Sequence, residues 1–331
     1  MKLIAGGLVL GALAVGALWV LPSDSYLLLP DVAKPLAEKV EIEGEKPNAA
    51  GGVYYVDVIV RQASLLEELV GPTRPEGADL VPRHALVPPG SDFSERRQQN
   101  LRLMDRSEEI AAAVALRELD YDVEAEPEGA LVAGVAADAP AAGKISATDV
   151  ILAVDGEPVR TPDDLRRLIA TREPGESVRL RVRSGDKVRV VQVGTVESPE
   201  EPGRPIVGIQ VEQYAEIDLT VDVDIDLGGV GGPSAGLAFA LDIVEELRGN
   251  VDRGLRVAAT GELELDGGVL PVGGVKQKVI GARRAGADVF LVPAGDNAAT
   301  ARRHAGDLRI IAVESFGQAL RALATLPRKG Q

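Results

Sequence analysis

An alternating strand pattern that runs directly into a glycine-rich loop and then an apolar helix is the strongest constraint in this chain. In "IDLTVDVDIDL", residues 217–227, apolar and polar side chains alternate with the period of a strand that buries one face. "GGVGGPSAG" follows at 228–236, and helical spacing resumes at once in "LAFALDIVEEL". Because glycine loses much conformational freedom on folding, four glycines before Ser234 indicate a backbone that must approach a partner closely.

Strand and helix patterns alternate from this loop to the C-terminus, which predicts an α/β layer structure. Earlier in the chain, "VYYVDVIV" at 53–60 predicts a buried strand, and the turn-rich residues 71–92 predict an exposed loop. Helical spacing covers residues 94–119, where Ser107 and the acidic residues after it resemble a capped helix start.

Residues 129–193 have a different pattern of predicted secondary structure, with short strands, one short helix and a hairpin. The strands of the hairpin alternate apolar with basic residues. An acidic, proline-rich stretch, "ESPEEPGRP", follows at 197–205 and reads as a linker. We therefore expect a compact β-rich unit over 119–198. The predicted boundaries are 1–22 for an anchor, 23–118 for a tether with the strand and helices that follow it, 119–198 for the β-rich unit, and 199–331 for the α/β part.

Composition excludes several classes of function. The chain has 331 residues with 45% apolar side chains, so it can bury a sizeable core, and its formal charge of −15 argues against a nucleic-acid partner. It has no cysteine, which excludes disulfides and thiolate metal sites. Only His84 and His304 are available for a zinc site or a Ser-His-Asp triad.

The N-terminus predicts a membrane anchor. Residues 3–21 carry no charge and follow Lys2, and nineteen helical residues at about 1.5 Å each span the hydrocarbon core. The basic end should stay in the cytoplasm, which places the later domains outside the cell membrane as parts of a single-pass protein. A cleaved signal peptide ending at Ala17 is the alternative, although cleavage there would leave an apolar N-terminus.

The glycine loop fits neither a nucleotide nor a calcium site, and no cofactor or metal is expected. A phosphate-binding loop needs a Gly-Lys-Ser/Thr ending that the chain lacks, and Ser234 stands where the third glycine of G-x-G-x-x-G belongs. A calcium loop would require Gly at 227 and Glu at 233, where Leu227 and Pro233 stand. The remaining interpretations are a serine that caps a helix and a serine nucleophile.

A nucleophile at Ser234 would lie at a helix start, where free backbone N–H groups stabilise a developing oxyanion. We expect the loop that binds the oxyanion and the substrate to consist of Gly231, Gly232, Pro233 and Ala235. The base is a histidine, His84 or His304, or a lysine with a lowered pKa.

Two lysines stand together in "PVGGVKQKV", and the sequence favours one of them as the base. Lys276 follows two glycines at a helix start, whereas Lys278 is interpreted as an ordinary exposed lysine. If the base is a lysine, Lys276 is therefore the favoured candidate, and its alternative is an ordinary exposed lysine.

Two long motifs resemble the proteolytic domain of Lon-family serine proteases: "GGPSAGLAFALDIVEEL" and "TGELELDGGVLPVGGVKQKVIGARRAGADVFLVPAGD". The resemblance covers roughly residues 205–326. It implies a Ser-Lys dyad of Ser234 and Lys276, with Thr260 hydrogen-bonding the lysine amine. ATP-dependent members usually carry an acidic residue directly before "GPSAG", where this chain has Gly231. A self-inhibited state that pairs this acid with the lysine is therefore not expected, and the ATPase of Lon is missing.

Residues 119–198 resemble a PDZ domain of the bacterial type through "APAAGKISATDVILAVDGEPV". Such domains bind extended peptides at a sheet edge, next to a loop that reads apolar-Gly-apolar. The nearest match that we assign is Leu119-Asp120-Tyr121, with Asp in place of Gly. The order of anchor, PDZ domain and Lon-type domain is similar to the YlbL-like family of membrane-anchored peptidases without an ATPase.

The resemblance implies an α/β (α+β) Lon proteolytic fold with an inserted β-rich PDZ domain and an N-terminal transmembrane helix. The expected function is ATP-independent, membrane-anchored serine endopeptidase activity on protein or peptide substrates. Lon relatives form rings, so a homo-oligomer is expected by analogy. The alternative is a non-catalytic scaffold whose PDZ domain binds peptides and whose protease fold is degenerate.

Overall fold

The structure is a computed structural model that describes residues 13, 15–37, 39–44, 52–87, 93–136, 138–199 and 201–328. The described strands are β1 (Pro22–Pro30), β2 (Lys34–Pro35), β3 (Val40–Ile42), β4 (Val53–Tyr55), β5 (Val58–Ser64), β6 (Asp79–Pro82), β7 (Val123–Val135), β8 (Val150–Val154), β9 (Glu157–Pro158), β10 (Ser177–Ser184), β11 (Lys187–Gly194), β12 (Val196–Glu197), β13 (Pro205–Ile206), β14 (Ile209–Leu219), β15 (Val223–Ile225), β16 (Val257–Ala259), β17 (Glu262–Leu263), β18 (Val269–Leu270), β19 (Val289–Pro293) and β20 (Arg309–Val313). The helices are α1 (Leu65–Leu69), α2 (Arg83–Leu86), α3 (Phe93–Glu118), α4 (Pro162–Ile169), α5 (Gly236–Arg248), α6 (Val275–Arg284), α7 (Asp296–His304) and α8 (Phe316–Ala324).

A mostly parallel sheet with strand order β2-β4-β16-β19-β20 forms the centre of the α/β part. Its last four strands are parallel, and β2 pairs antiparallel with β4 at one edge. Every residue of β19 is buried, as expected for a strand covered on both faces. The α/β layer structure predicted for the C-terminal third is confirmed.

Helices α3 and α5 pack against each other in the largest hydrophobic cluster. Helix α5 is buried from Gly236 to Glu245, and α3 contributes the small residues Ala111, Ala112 and Ala115. Helix α3 begins at Phe93, so Ser107 lies in its interior. The prediction of a capped start at Ser107 is wrong, because this side chain bonds a neighbouring turn and not the end of its own helix.

The run at 53–60 forms two strands of different sheets. Strand β4 joins the central sheet, the chain bends at Val56 and Asp57, and β5 joins a second sheet of order β5-β1-β6. Strand β6 lies inside the segment 71–92 that was predicted as a loop, and its four residues pair with β1. Pairing with the distant strand β1 makes this short segment a strand, although the turn-forming residues around it predict a loop.

A separate hydrophobic core fills the β-rich unit, whose main sheet has the order β11-β10-β8-β7-β14. Strand β14 begins at Ile209, after the acidic linker, and Val207 is buried in the same core. The β-rich unit therefore extends beyond residue 198, where the sequence placed its end.

Residues 217–227 do not form one continuous strand. Strand β14 ends at Leu219, where it pairs with β7, while β15 pairs with β3 beside the α/β core. The chain must turn at 220–222 because its two halves belong to different sheets. The turn at 220–222 connects the β-rich unit to β15, and the glycine loop follows β15.

Within the described part of the chain, no helix has the length and apolar character needed to cross a membrane. Residues 1–12 and 14 lie outside the described residues, so most of the predicted anchor at 3–21 does too. Residues 15–20 are helical, and the apolar side chains of Val15, Trp19 and Val20 are exposed.

Asp242 gives a prediction for the stability of the fold. Its side chain is fully buried in α5, and neither carboxyl oxygen has a hydrogen-bond partner. Burial, with the nearby charges of Glu246 and Glu245, raises the pKa of Asp242 to about 8 from an ordinary value of 3.8. Since the folded-state pKa is the higher one, stability should fall as the pH rises from about 4 to about 8.

We expect Asp242→Asn, which keeps the shape and cannot ionise, to be more stable than wild type by on the order of 1–3 kcal/mol at pH 8. Denaturant unfolding followed at pH 4 and pH 8 measures this difference. The gain should shrink at pH 4, where the carboxyl is protonated in the folded state and about half protonated in the unfolded state. Equal gains at the two pH values would contradict a buried, titrating Asp242.

Candidate active site

Ser234 lies in a short 3-10 helix, Pro233–Ala235, that leads directly into α5. Gly232 before it has φ 106° and ψ 146°, a conformation that side chains disfavour. The Gly232 N–H donates to the carbonyl of Asn100 at 2.8 Å, and the Ser107 hydroxyl donates to the carbonyl of Pro233 at 3.1 Å. Residues 231–234, the nucleophile turn, are therefore fixed against α3.

Lys278 of α6 contacts Ser234. Its Nζ lies 2.6 Å from the Ser234 Oγ, a hydrogen-bond distance. The lysine side chain is almost completely buried, with 3% of the residue exposed. A second hydrogen bond, of 2.8 Å, joins Nζ to Oγ1 of Thr260.

Thr260 connects the lysine to the backbone of the nucleophile. It is fully buried after β16, and its hydroxyl donates to the carbonyl of Ser234 at 2.9 Å while accepting from Lys278. The sequence prediction placed Thr260 beside the amine of the dyad lysine, and the structure brings it to the amine of Lys278.

Burial lowers the pKa of the Lys278 amine to about 7 from an ordinary value of 10.5. The negative charge of Asp57 acts in the opposite direction. Asp57 accepts a hydrogen bond from Lys34 at 3.2 Å, and its other carboxyl oxygen, Oδ1, is buried without a partner. An amine with this pKa is about half neutral at pH 7, so it can accept a proton.

Lys276 does not contact Ser234, and the sequence prediction of Lys276 as the dyad lysine is wrong. Its Nζ forms an ion pair with Asp79 of β6 at 2.6 Å. The Asp79 carboxyl is partly desolvated, but hydrogen bonds from Lys276 and Gln277 outweigh that effect and hold its pKa below the ordinary value. Lys276 thus attaches β6 to α6.

Helical geometry explains why Lys278 and not Lys276 reaches the serine. Successive helical residues are about 100° apart, so positions 276 and 278 point in nearly opposite directions. The buried face of α6 includes Val275, Val279 and Ala282, and Lys278 falls at the i+3 position of this stripe. That spacing is the sequence signal that identifies Lys278.

The predicted oxyanion loop is only partly suited to that role. The Gly232 N–H is already bonded to Asn100, and Pro233 has no N–H. Gly231 packs against Asn100, where an added Cβ would lie 3.0 Å from the Asn100 Cβ. Ser234 lies in the first turn of its helix, where backbone N–H groups have no partner within the helix, and the buried Ala235 follows it.

The two histidines lie elsewhere. His84 is exposed on α2 and His304 ends α7, whereas the Ser234 hydroxyl is bonded to Lys278. Among the residues that the structure describes, no cluster of His, Asp or Glu side chains is arranged to hold a metal ion.

Two cavities flank the nucleophile turn and share Arg96 as a lining residue. One, of about 510 Å³, includes Pro233 and lies between the α/β part and the β-rich unit. Glu262 lines it, and burial together with the charges of Glu212 and Glu264 raises the pKa of its carboxyl to about 7. The other cavity, of about 430 Å³, includes Gly229 and Gly231.

Leu119, Asp120 and Tyr121 do not line a peptide groove, and that prediction is wrong. They form the turn that ends α3, Asp120 has φ 61°, and Leu119 packs against the α/β core. A groove of about 340 Å³ lies instead between α4 and residues 204–211. Val207-Gly208-Ile209 in this groove has the apolar-Gly-apolar pattern, which the expected domain end at residue 198 had concealed.

Comparisons with known proteins match both parts of the chain. Residues 204–325 match the family model of the Lon protease (S16) C-terminal proteolytic domain, and residues 102–195 match the PDZ domain model. Lon protease 1 of Sorangium cellulosum is 38% identical over 124 residues, which are 34% of this chain and 15% of that protein. Lon protease of Phenylobacterium zucineum is 35% identical over 144 residues, which are 43% of this chain and 16% of that protein.

Among solved structures, the PDZ domain of an SdrC-like protein from Listeria monocytogenes is 26% identical, and the alignment covers 25% of this chain and 87% of that one with a TM-score of 0.24. The chain spans only 15% and 16% of the length of the two Lon relatives. Residues 204–325 are thus similar to the proteolytic domain of Lon (S16) serine peptidases, and residues 102–195 are similar to a PDZ domain.

Proposed function

We propose that this protein hydrolyses peptide bonds of protein or peptide substrates, with Ser234 as the nucleophile and Lys278 as the general base. The observation that carries the proposal is the 2.6 Å contact between the serine hydroxyl and a lysine amine that is 3% exposed. A lysine in this environment is poised to exchange a proton near neutral pH.

The reaction follows from the hydrogen bonds around the amine. Neutral Lys278 has one lone pair and two N–H groups, and donation to Thr260 directs the lone pair toward Ser234. The serine oxygen attacks the substrate carbonyl carbon as its proton moves to Lys278. The ammonium then protonates the leaving amine, the C–N bond breaks, and an acyl-serine ester remains. Water, deprotonated by Lys278, hydrolyses this ester and restores both residues.

The charge that forms on Lys278 during the reaction has a compensating partner. The field of Asp57 favours the ammonium form, while burial favours the neutral amine. These opposing effects keep both protonation states accessible, as a group that first accepts and then donates a proton requires. The oxyanion would lie at the start of the helix that carries Ser234, where the helix dipole is positive.

Proteolysis should need no nucleotide, because the sequence has no phosphate-binding Gly-Lys-Ser/Thr loop. The PDZ domain would recruit peptides through the groove between α4 and Val207-Gly208-Ile209.

The alternative function is a non-catalytic scaffold, which would bind peptides through the same groove and would not cleave them. A degenerate site has no need for a buried lysine beside a serine, since burying an amine is costly. That contact favours the enzyme.

The first prediction separates the two lysines. Lys278→Arg keeps the charge but cannot accept a proton, so we expect casein cleavage to fall by about 10²–10⁴ or more, close to the loss in Ser234→Ala. Lys276→Arg preserves the charge that pairs with Asp79 and should keep most activity. Circular dichroism checks that each variant folds. An active Lys278→Arg together with an inactive Lys276→Arg would reverse the assignment.

The second prediction concerns pH. Since burial lowers the pKa of Lys278 to about 7, the neutral, reactive form is lost as the pH falls below that value. The rate of Ser234 acylation by p-nitrophenyl acetate should therefore rise from pH 5 to 7 and reach a plateau near pH 8. Ser234→Ala supplies the background rate. A profile that rises only near pH 10 would indicate an unperturbed lysine.

We also propose that the uncharged residues 3–21 anchor the protein in the cell membrane, with the PDZ and proteolytic domains outside. The exposed apolar side chains of Val15, Trp19 and Val20 support this placement, since they have no protein core to cover them. Protease added to intact spheroplasts should digest the folded domains and spare a cytoplasmic marker protein. Complete protection of the domains would contradict the proposed orientation, and a mature N-terminus at Leu18 would indicate cleavage.

A further inference from the structure

A cavity beside the nucleophile turn has the composition of a side-chain subsite. It has a volume of about 430 Å³ and is bounded by Gly229 and Gly231 on the side of Ser234. Its walls combine apolar side chains, among them Val60 of β5 and Phe93 and Leu101 of α3, with the polar side chains of Arg96, Arg97 and Asn100. Because the two glycines lack side chains, a peptide backbone can approach the turn closely at this point.

Strand β5 runs from the helix of the base toward this cavity. Val58 lies against Gly274, where an added Cβ would lie 2.7 Å from the Val58 Cγ2, and Gly274 immediately precedes α6. Val60, two residues further on, points to the same face of the strand and lines the cavity. An extended peptide along β5 would therefore pass both the helix of Lys278 and the turn of Ser234.

The outer edge of β5 is open for strand pairing. In the described part of the chain, β5 has β1 as its one ladder partner and lies at the edge of its sheet. Ile59 and Val60 are 45% and 47% exposed. Exposed β-branched residues on an unpaired edge favour addition of another strand, so natural edges without a ligand usually carry charge or proline there.

Two arginines at the rim add a charge preference. Arg96 and Arg97 line the cavity, and a Cβ added at Gly229 would lie 3.5 Å from the Arg97 Nη2. Neither arginine forms an ion pair with a carboxylate that the structure describes. Two adjacent arginines with no carboxylate partner among the described residues favour an acidic ligand beside the cavity, in a chain whose formal charge is −15.

We propose that this cavity is a substrate subsite that takes an apolar side chain, with an acidic substrate residue next to it at Arg97. The peptide lies extended along the outer edge of β5 and presents its scissile bond to Ser234. The proposal rests on the proposed peptidase function and adds the class of substrate that the site selects.

The test uses the purified full chain and internally quenched peptides that differ at two adjacent positions. Peptides with Leu-Glu should be cleaved at least about tenfold better, by kcat/KM, than those with Leu-Lys or Ser-Glu. Arg97→Glu should reverse the order of the Leu-Glu and Leu-Lys peptides. Ala85→Trp, at an exposed position that lines the cavity, should raise KM for Leu peptides more than for Ser peptides.

Arg328→Glu, an equal charge change at an exposed site outside the cavity, serves as the control and should leave the peptide order unchanged. Acylation of wild type and of Arg328→Glu by p-nitrophenyl acetate needs no peptide subsite, so it reports the reactivity of Ser234 separately from the peptide preference. If acylation is normal but Arg97→Glu and Ala85→Trp do not change peptide preference, the subsite is refuted and the peptidase stands. If wild type neither acylates nor cleaves, the peptidase proposal fails and the subsite fails with it.

Discussion

The burial of one lysine amine between Ser234 and Thr260 is the interaction on which the rest of the site depends. An isolated ammonium is costly to remove from water, and Lys278 remains buried because its neutral form is accessible and its amine has two hydrogen-bond partners, the hydroxyls of Ser234 and Thr260. Burial of the amine lowers the free energy of unfolding, and it also lowers the pKa so that the amine can accept a proton near pH 7. The negative charge of Asp57 and the hydrogen bond with Thr260 offset part of the cost of this burial.

Helix α3 links this pair to the PDZ domain. The Asn100 carbonyl and the Ser107 hydroxyl hold the nucleophile turn. From the same helix, Arg102 donates to the Thr148 hydroxyl at 3.0 Å, and the Arg106 guanidinium lies 4.7 Å from the centre of the Tyr214 ring. Ser107 follows Arg106 directly. The contacts that seat the PDZ domain and those that fix the serine therefore share one rigid element.

The sequence predicted the parts of the site that local patterns encode. The glycine loop and the helix after it identified Ser234, and the strand–helix alternation identified the α/β layers. To identify the lysine, the helical position of each candidate must also be considered. Lys278 lies on the buried apolar stripe of Val275, Val279 and Ala282, whereas Lys276 lies off that stripe. A motif that contains two lysines two residues apart does not distinguish them, but the helical period does.

Local sequence patterns do not predict the features that depend on strand pairing between segments distant in the sequence. The bend between β4 and β5 turns one apparent strand into two, and this bend brings Asp57 close enough to influence Lys278 while β5 continues toward the cavity beside Gly231. Asp57 is the one charged residue in this run, and the aromatic and β-branched residues on both sides of it suit a strand. The choice of sheet partners decides that they form two strands. The N-terminal segment consequently supplies both a charge that acts on the Lys278 amine and an edge strand that borders the cavity beside Gly231. The surroundings of Ser234 and Lys278 therefore include residues well before the segment that matches the Lon proteolytic domain.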